Sequence, residues 1–164
     1  FCRTGKWFGF EHAGISPDAV TMAKGMGNGM PVGALWARRD VASVLQPGDH
    51  GSTYSGTALA TAAVSAVISE MKRLNADKLA VRQGARLTKG LLAIPAIDSV
   101  RGSGLLLGAQ LVEGVVAGDV YKALLEKGLI VNAVNASTLR LAPPLTVSDA
   151  EIDEAVALIA EVLS

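Results

Sequence analysis

The chain has 164 residues, half of them hydrophobic, and its 15 Lys and Arg are balanced by 15 Asp and Glu. Zero net charge gives no electrostatic case for nucleic acid or a membrane surface, and the apolar half places the chain among core-rich globular proteins. No apolar run reaches the ~18–20 residues that cross a bilayer, while a lone cysteine, Cys2, cannot form an internal disulfide and fits a reducing cytoplasm.

Taken in chain order, the first 56 residues read as strands near 19–23 and 33–38 joined by loops rich in glycine. A helix is expected over Thr57–Leu74. Ala58, Leu59, Ala62, Ala63, Val64 and Val67 make its early surface apolar all round, which predicts a buried helix, with charge only at Glu70, Lys72 and Arg73. A second helical stretch, Asp77–Leu92, carries Leu79, Leu87 and Leu91, and Pro95 ends it. From about residue 95 the pattern becomes a compact α+β unit. Leu105–Leu111 reads as a strand, Asp119–Lys127 as a helix stopped by Gly128, and Leu129–Val134 and Thr138–Ala142 as strands. Ser148-Asp149-Ala150-Glu151 is a capping box that opens a last helix, with Ile152, Ala155, Val156, Ile159 and Val162 on one face. The expected division is therefore 1–75, a linking helical segment 76–94, and a small domain 95–164.

Lys24 follows the apolar segment Ala19–Ala23 and opens a loop with Gly25, Gly27 and Gly29. Backbone without side chains suits a flat, phosphate-bearing cofactor that comes close to the main chain. A lysine amine forms a Schiff base with an aldehyde when it is deprotonated. On local composition alone, a solvated lysine in an ordinary turn stays open beside that reading. A nucleotide loop does not fit: Gly-x-x-x-x-Gly-Lys-Ser/Thr is absent, and the glycines lead through Pro31 into a strand, not a helix.

Ser52 and Thr53 precede the first long helix, whose positive end favours an anion. Thr53 suits a phosphate oxygen, yet on the residues alone capping of that helix is the more common role for Ser and Thr. Arg140 lies between Leu139 and Leu141, so strand alternation sends it to the face opposite the leucines. There it is either an exposed strand arginine or a fork for a carboxylate. Arg3 reads as structural, and Trp7, Phe8 and Phe10 as packing or as the lining of a site entrance. His12 and His50 stand without a Cys or carboxylate at ligand spacing, so no metal site is expected.

Arg3-Thr4-Gly5-Lys6-Trp7-Phe8-Gly9-Phe10-Glu11-His12, Pro17-Asp18, Thr21-Met22-Ala23-Lys24-Gly25, Pro31-Val32-Gly33-Ala34 and His50-Gly51-Ser52-Thr53-Tyr54-Ser55-Gly56 occur in one order. Val100-Arg101-Gly102-Ser103-Gly104-Leu105-Leu106-Leu107-Gly108 and Leu139-Arg140-Leu141-Ala142-Pro143-Pro144-Leu145 continue the series over nearly the whole chain. This series resembles the class III aminotransferases, most closely their acetylornithine type. The resemblance implies an α/β chain of the fold-type-I transferases, with the end of the large cofactor domain followed by a small C-terminal α+β domain. It implies pyridoxal 5'-phosphate held by Lys24, with Thr53 reaching the phosphate of the neighbouring subunit's cofactor in a homodimer, Ser52 beside the substrate, and Arg140 on the substrate's α-carboxylate.

The implied reaction passes the δ-amino group of N-acetylornithine to 2-oxoglutarate in arginine biosynthesis, in the cytoplasm. Ornithine, succinylornithine and 4-aminobutyrate are the rival donors. Family members carry upstream an Asp for the pyridine nitrogen, a Ser/Gly-rich phosphate loop and a stacking aromatic. The chain starts at Phe1 inside a motif, so the expectation is the C-terminal part of a longer enzyme; the alternative is a truncated, non-catalytic association module.

Overall fold

Glycine-rich loops and two short strands occupy the start of the chain, and its long helices follow from Ala58 onward. The computed structural model describes residues 1–164, and they divide into two units: Phe1 with Phe8–Leu74, and Cys2–Trp7 with Asn75–Ser164.

In the first unit β1 (Ala19–Met22) and β2 (Ala34–Ala37) form an antiparallel pair, with Val20 opposite Trp36 and Met22 opposite Ala34. These are the strands expected near 19–23 and 33–38. Between them Lys24–Met26 makes a 3-10 turn; after them come a single helical turn, α1 (Arg39–Ala42), and a long helix, α2 (Ala58–Leu74). Phe8 stacks on Phe10 with ring centroids 5.2 Å apart, and Phe1 tilts against Phe8 at 5.2 Å. Of the expected Trp7, Phe8 and Phe10, the latter two pack together, and they also line a cavity with Ile15, Val20 and Trp36.

α2 corrects one expectation. It forms where its apolar, Ala-rich sequence predicts, but it is not buried. Ala60 is its only buried residue, and Leu59 is 69% exposed. Apolar pattern specifies a face that needs covering; it does not supply the cover. Within this unit only Met26 and Ala60 are buried apolar residues.

The second unit holds the core. Four strands, β3 (Ile97–Ser103), β4 (Leu106–Leu111), β5 (Asn132–Asn135) and β6 (Thr138–Leu141), form an antiparallel sheet in the order β3-β4-β6-β5. Alternation sends Leu107, Ala109 and Leu111 of β4 and Leu139 and Leu141 of β6 to one face. There they meet Leu87 and Leu91 of α3 (Ala76–Leu92), Leu124 of α4 (Ala117–Glu126), and Ile152 and Ile159 of α5 (Asp149–Val162).

Two close approaches lock the unit. A Cβ on Gly84 of α3 would lie 2.0 Å from the Gly104 carbonyl oxygen, and one on Gly104 would lie 2.6 Å from the Arg3 carbonyl oxygen. The Ser148 box is formed, with the Ser148 hydroxyl accepting from the Glu151 N–H and the Glu151 carboxylate accepting from the Ser148 N–H.

β3 was not expected as a strand. Asp98, Ser99 and Arg101 break its apolar pattern and a bulge falls between Ile97 and Ser99, so pairing with β4, not composition, defines it. β5 also starts later than Leu129. The Leu129 N–H donates to the Leu124 carbonyl and the Gly128 N–H to the Leu125 carbonyl, with Gly128 at φ +84°. Leu129 thus closes α4 in a Schellman stop and does not open the strand. No helix is long and apolar enough to cross a membrane.

Candidate active site

β1 ends at Met22, Ala23 stays extended, and Lys24 then turns into the left-handed region at φ +56°. For a side chain larger than glycine this conformation costs about 1–2 kcal/mol. A ladder of tight turns holds it: Met26 N–H to the Ala23 carbonyl (3.2 Å), Gly27 N–H to the Lys24 carbonyl (3.2 Å) and Met30 N–H to the Gly27 carbonyl (3.1 Å). Met26 is buried beneath the ladder. The three glycines differ in their reasons. A Cβ on Gly27 would come 2.2 Å from the Met30 carbonyl oxygen, so the turn itself requires glycine there, whereas a Cβ on Gly25 or Gly29 would meet nothing within 4 Å. Gly29 sits at φ +104°, which itself favours glycine, and both Gly25 and Gly29 leave bare backbone facing open space.

The Lys24 side chain is exposed and makes no hydrogen bond or ion pair. With Gly29, Met30, Pro31 and Val32 it lines a cavity of about 380 Å³. Pro31 and Val32 also line a second cavity of about 560 Å³, whose far wall includes Ser52, Tyr54 and Thr57. A primary amine without a partner, a cavity beside it and backbone stripped of side chains together fit a flat ring bearing an aldehyde.

Ser52 and Thr53 lie on an exposed turn ahead of α2, with the Ser55 N–H on the Ser52 carbonyl at 3.4 Å. Neither hydroxyl makes a hydrogen bond, so neither caps α2. The helix-capping alternative is thereby removed, and both hydroxyls are free for an incoming oxyanion.

Arg140 belongs to the second unit. Leu139 and Leu141 on either side of it are 0% and 5% exposed, and Arg140 projects from the opposite, solvent-facing side of the sheet without a partner. Arg3 is structural, as expected. Its guanidinium donates to the carbonyls of Leu105 (3.3 Å) and Pro143, and burial draws its pKa down from the ordinary value. Arg101, not picked out from the sequence, shares the Arg140 face. Recognising β3 as a strand was the signal that would have found it.

A family model described as aminotransferase class-III matches residues 1–163. The acetylornithine aminotransferase of Caldanaerobacter subterraneus subsp. tengcongensis is 42% identical over 166 residues, 99% of this chain and 42% of the relative. That of Bacillus subtilis is 41% identical, again over 99% of this chain and 42% of its own length. Among solved structures, an ornithine aminotransferase from Toxoplasma gondii, with partial occupancy of PLP at its active site, superposes with a TM-score of 0.88 at 31% identity. It is covered to 40% by 99% of this chain. The chain thus spans about two fifths of the length of the relatives it matches.

Proposed function

We infer what this chain does from the family to which it belongs, the class-III aminotransferases. The protein carrying it is proposed to move the δ-amino group of N-acetylornithine to 2-oxoglutarate, as a step of arginine biosynthesis in the cytoplasm. Pyridoxal 5'-phosphate is the proposed cofactor; when bound it supplies an aldehyde for amine exchange and an electron sink for the carbon that loses its proton. The observation that carries the reading is Lys24: an unpartnered amine, in strained backbone, at the mouth of a cavity beside bare glycine backbone.

The chain's own residues have separate tasks. Lys24 Nζ anchors the cofactor covalently, gives up that bond to the incoming amino donor, and then, as a free amine, takes the proton from the amine-bearing carbon and returns it on the other side of the exchange. Strained backbone over-determined by its turn ladder fixes the point at which the Lys24 side chain leaves the main chain. Thr53 offers its hydroxyl and N–H to the phosphate of a neighbouring subunit's cofactor in a homodimer. Ser52 lies beside the substrate. Arg140 orients the amino acid or 2-oxo acid through its α-carboxylate by a bidentate fork.

Acetylornithine is put ahead of ornithine because the acetylornithine aminotransferases of Caldanaerobacter and Bacillus are 42% and 41% identical to this chain. The test is a donor panel on the full protein with 2-oxoglutarate, reading glutamate formed. A kcat/KM for N-acetylornithine at least about tenfold above that for ornithine, a gap of about 1.4 kcal/mol, is expected. The reverse order reassigns the donor, and no turnover with any amine supports the association-module alternative.

A further inference from the structure

Arg3 is bonded at a place where the sheet lacks one of its rungs. The β4–β6 pairing sets Leu107 opposite Leu141 and Gly108 opposite Arg140. Carried two residues further, that register sets Leu105 opposite Pro143. The Leu111 N–H donates to the Ser137 carbonyl at 2.8 Å, and hydrogen-bonded pairs alternate along an antiparallel ladder, so the Leu105–Pro143 position is one of them. Pro143 has no N–H to give. The Leu105 N–H turns instead to the Arg3 carbonyl at 2.9 Å. Arg3 Nη1 then donates to both carbonyls of that position, Leu105 (3.3 Å) and Pro143. One arginine thus stands in for the rung that proline removes.

The backbone and the side chain of Arg3 have different jobs. The backbone docks its own segment. Its carbonyl accepts from Leu105, and the segment lies so close to Gly104 that a Cβ there would come 2.6 Å from the Arg3 oxygen and 2.7 Å from the Thr4 carbonyl carbon. Those contacts need no particular side chain at position 3. The guanidinium goes further, to a loop 140 residues away in sequence. It is partly buried there with carbonyls as its partners and no carboxylate. Desolvating a cation for neutral partners is costly, so docking of the segment does not account for an arginine.

What depends on the guanidinium is the end of β6. Beyond Leu141 no backbone bond joins this strand to β4, and Pro143 and Pro144 supply no donors. Arg140 is the last residue but one of β6. Its neighbour on β4 is Gly108, which has no side chain to brace it. A strand end held by one side chain sets how well Arg140 is aimed, and a binding group must be held within about 0.5 Å of its productive place. We propose that Arg3 is a positioning residue, which closes the Leu105–Pro143 rung and so fixes the end of β6 and the direction of Arg140. This rests on the reading of Arg140 as a carboxylate-binding residue.

The test is a double-mutant cycle in the full protein, read as KM for 2-oxoglutarate, kcat and cofactor affinity. Arg3→Met removes the donors and keeps the stem. It should raise KM about tenfold, the worth of one hydrogen bond to a charged group, while kcat stays within about twofold and cofactor affinity is unchanged. Arg3→Lys, which keeps a charged donor, should raise KM less. In an Arg140→Lys background Arg3→Met should add less than about twofold, because the fork that it aims is already lost. Pro143→Ala returns an N–H to the rung, so in Arg3→Met it should recover part of the lost affinity. An unchanged KM in Arg3→Met, the same factor in both backgrounds, a fall of kcat and cofactor affinity along with KM, or no gain from Pro143→Ala overturns the inference and leaves Arg140 as read. Should circular dichroism show Arg3→Met unfolded, Arg3→Lys runs the same cycle. An Arg140→Lys whose KM does not move overturns the reading of Arg140 and this inference with it.

Discussion

Lys24 and Arg140 show how much two residues say when their backbone is known. Sequence alone put Lys24 after an apolar segment and before three glycines, and the structure sets it there. What the sequence could not contain is the division of labour among those glycines. Gly27 is required by the Met30 carbonyl, Gly29 by its φ of +104°, and Gly25 only leaves the backbone open to space. Arg140 was legible because period-2 alternation with Leu139 and Leu141 is a short-range signal. Its neighbour Arg101 was not, because the pairing that brings it to Gly108 joins strands separated by a turn and a bulge. Arg140→Lys in the full protein keeps the charge and loses the fork. KM for 2-oxoglutarate should rise by the equivalent of about 2–3 kcal/mol, with cofactor affinity unchanged; steady-state kinetics beside a cofactor titration checks this.

Helix termini and tight glycine contacts specify the elements of the second unit. The Gly84 contact is with backbone, which cannot rotate away, so Gly84→Ala should destabilise by about 3 kcal/mol. Gly118, near the start of α4, meets nothing within 4 Å, so Gly118→Ala should stabilise by about 0.5–1 kcal/mol. Denaturant unfolding of the two variants reads opposite signs. The Ser148 box adds a pH signature. Bonds from the Ser148 N–H and hydroxyl hold the Glu151 pKa below its ordinary 4.5. A depressed folded value means the stabilisation is full above that ordinary value and is lost as pH falls through the folded one. Glu151→Gln should therefore lower Tm at pH 7, with the difference from the unsubstituted chain shrinking in the acid range. Caps of this kind are written in four adjacent residues, which is why α5 and the Gly128 stop were legible. α2 was misread as buried because burial depends on what covers Leu59, and no local pattern encodes that.

At the scale of the whole chain the two units differ in what holds them. Residues 75–164 share one apolar core against an antiparallel sheet, whereas residues 8–74 bury little more than Met26 and Ala60. A two-stranded ribbon without a core is marginal in water. Hydrogen exchange of the 164-residue chain should find the amides of β4 and β6 protected and those of β1 and β2 exchanging orders of magnitude faster. Equal protection would mean that the ribbon is stabilised by something other than burial. The proposed chemistry is thus placed on the less stable part of this chain, and the proposed carboxylate fork on the more stable one.

The central claim is that Lys24 holds the cofactor, and one labelling experiment tests it most directly. The full protein is loaded with pyridoxal 5'-phosphate, reduced with borohydride, digested and mapped by mass spectrometry. The account predicts the pyridoxyl adduct on Lys24, near one per chain, and its loss together with nearly all turnover in Lys24→Ala. A stoichiometric adduct on any other lysine, or undiminished turnover in Lys24→Ala, would contradict it.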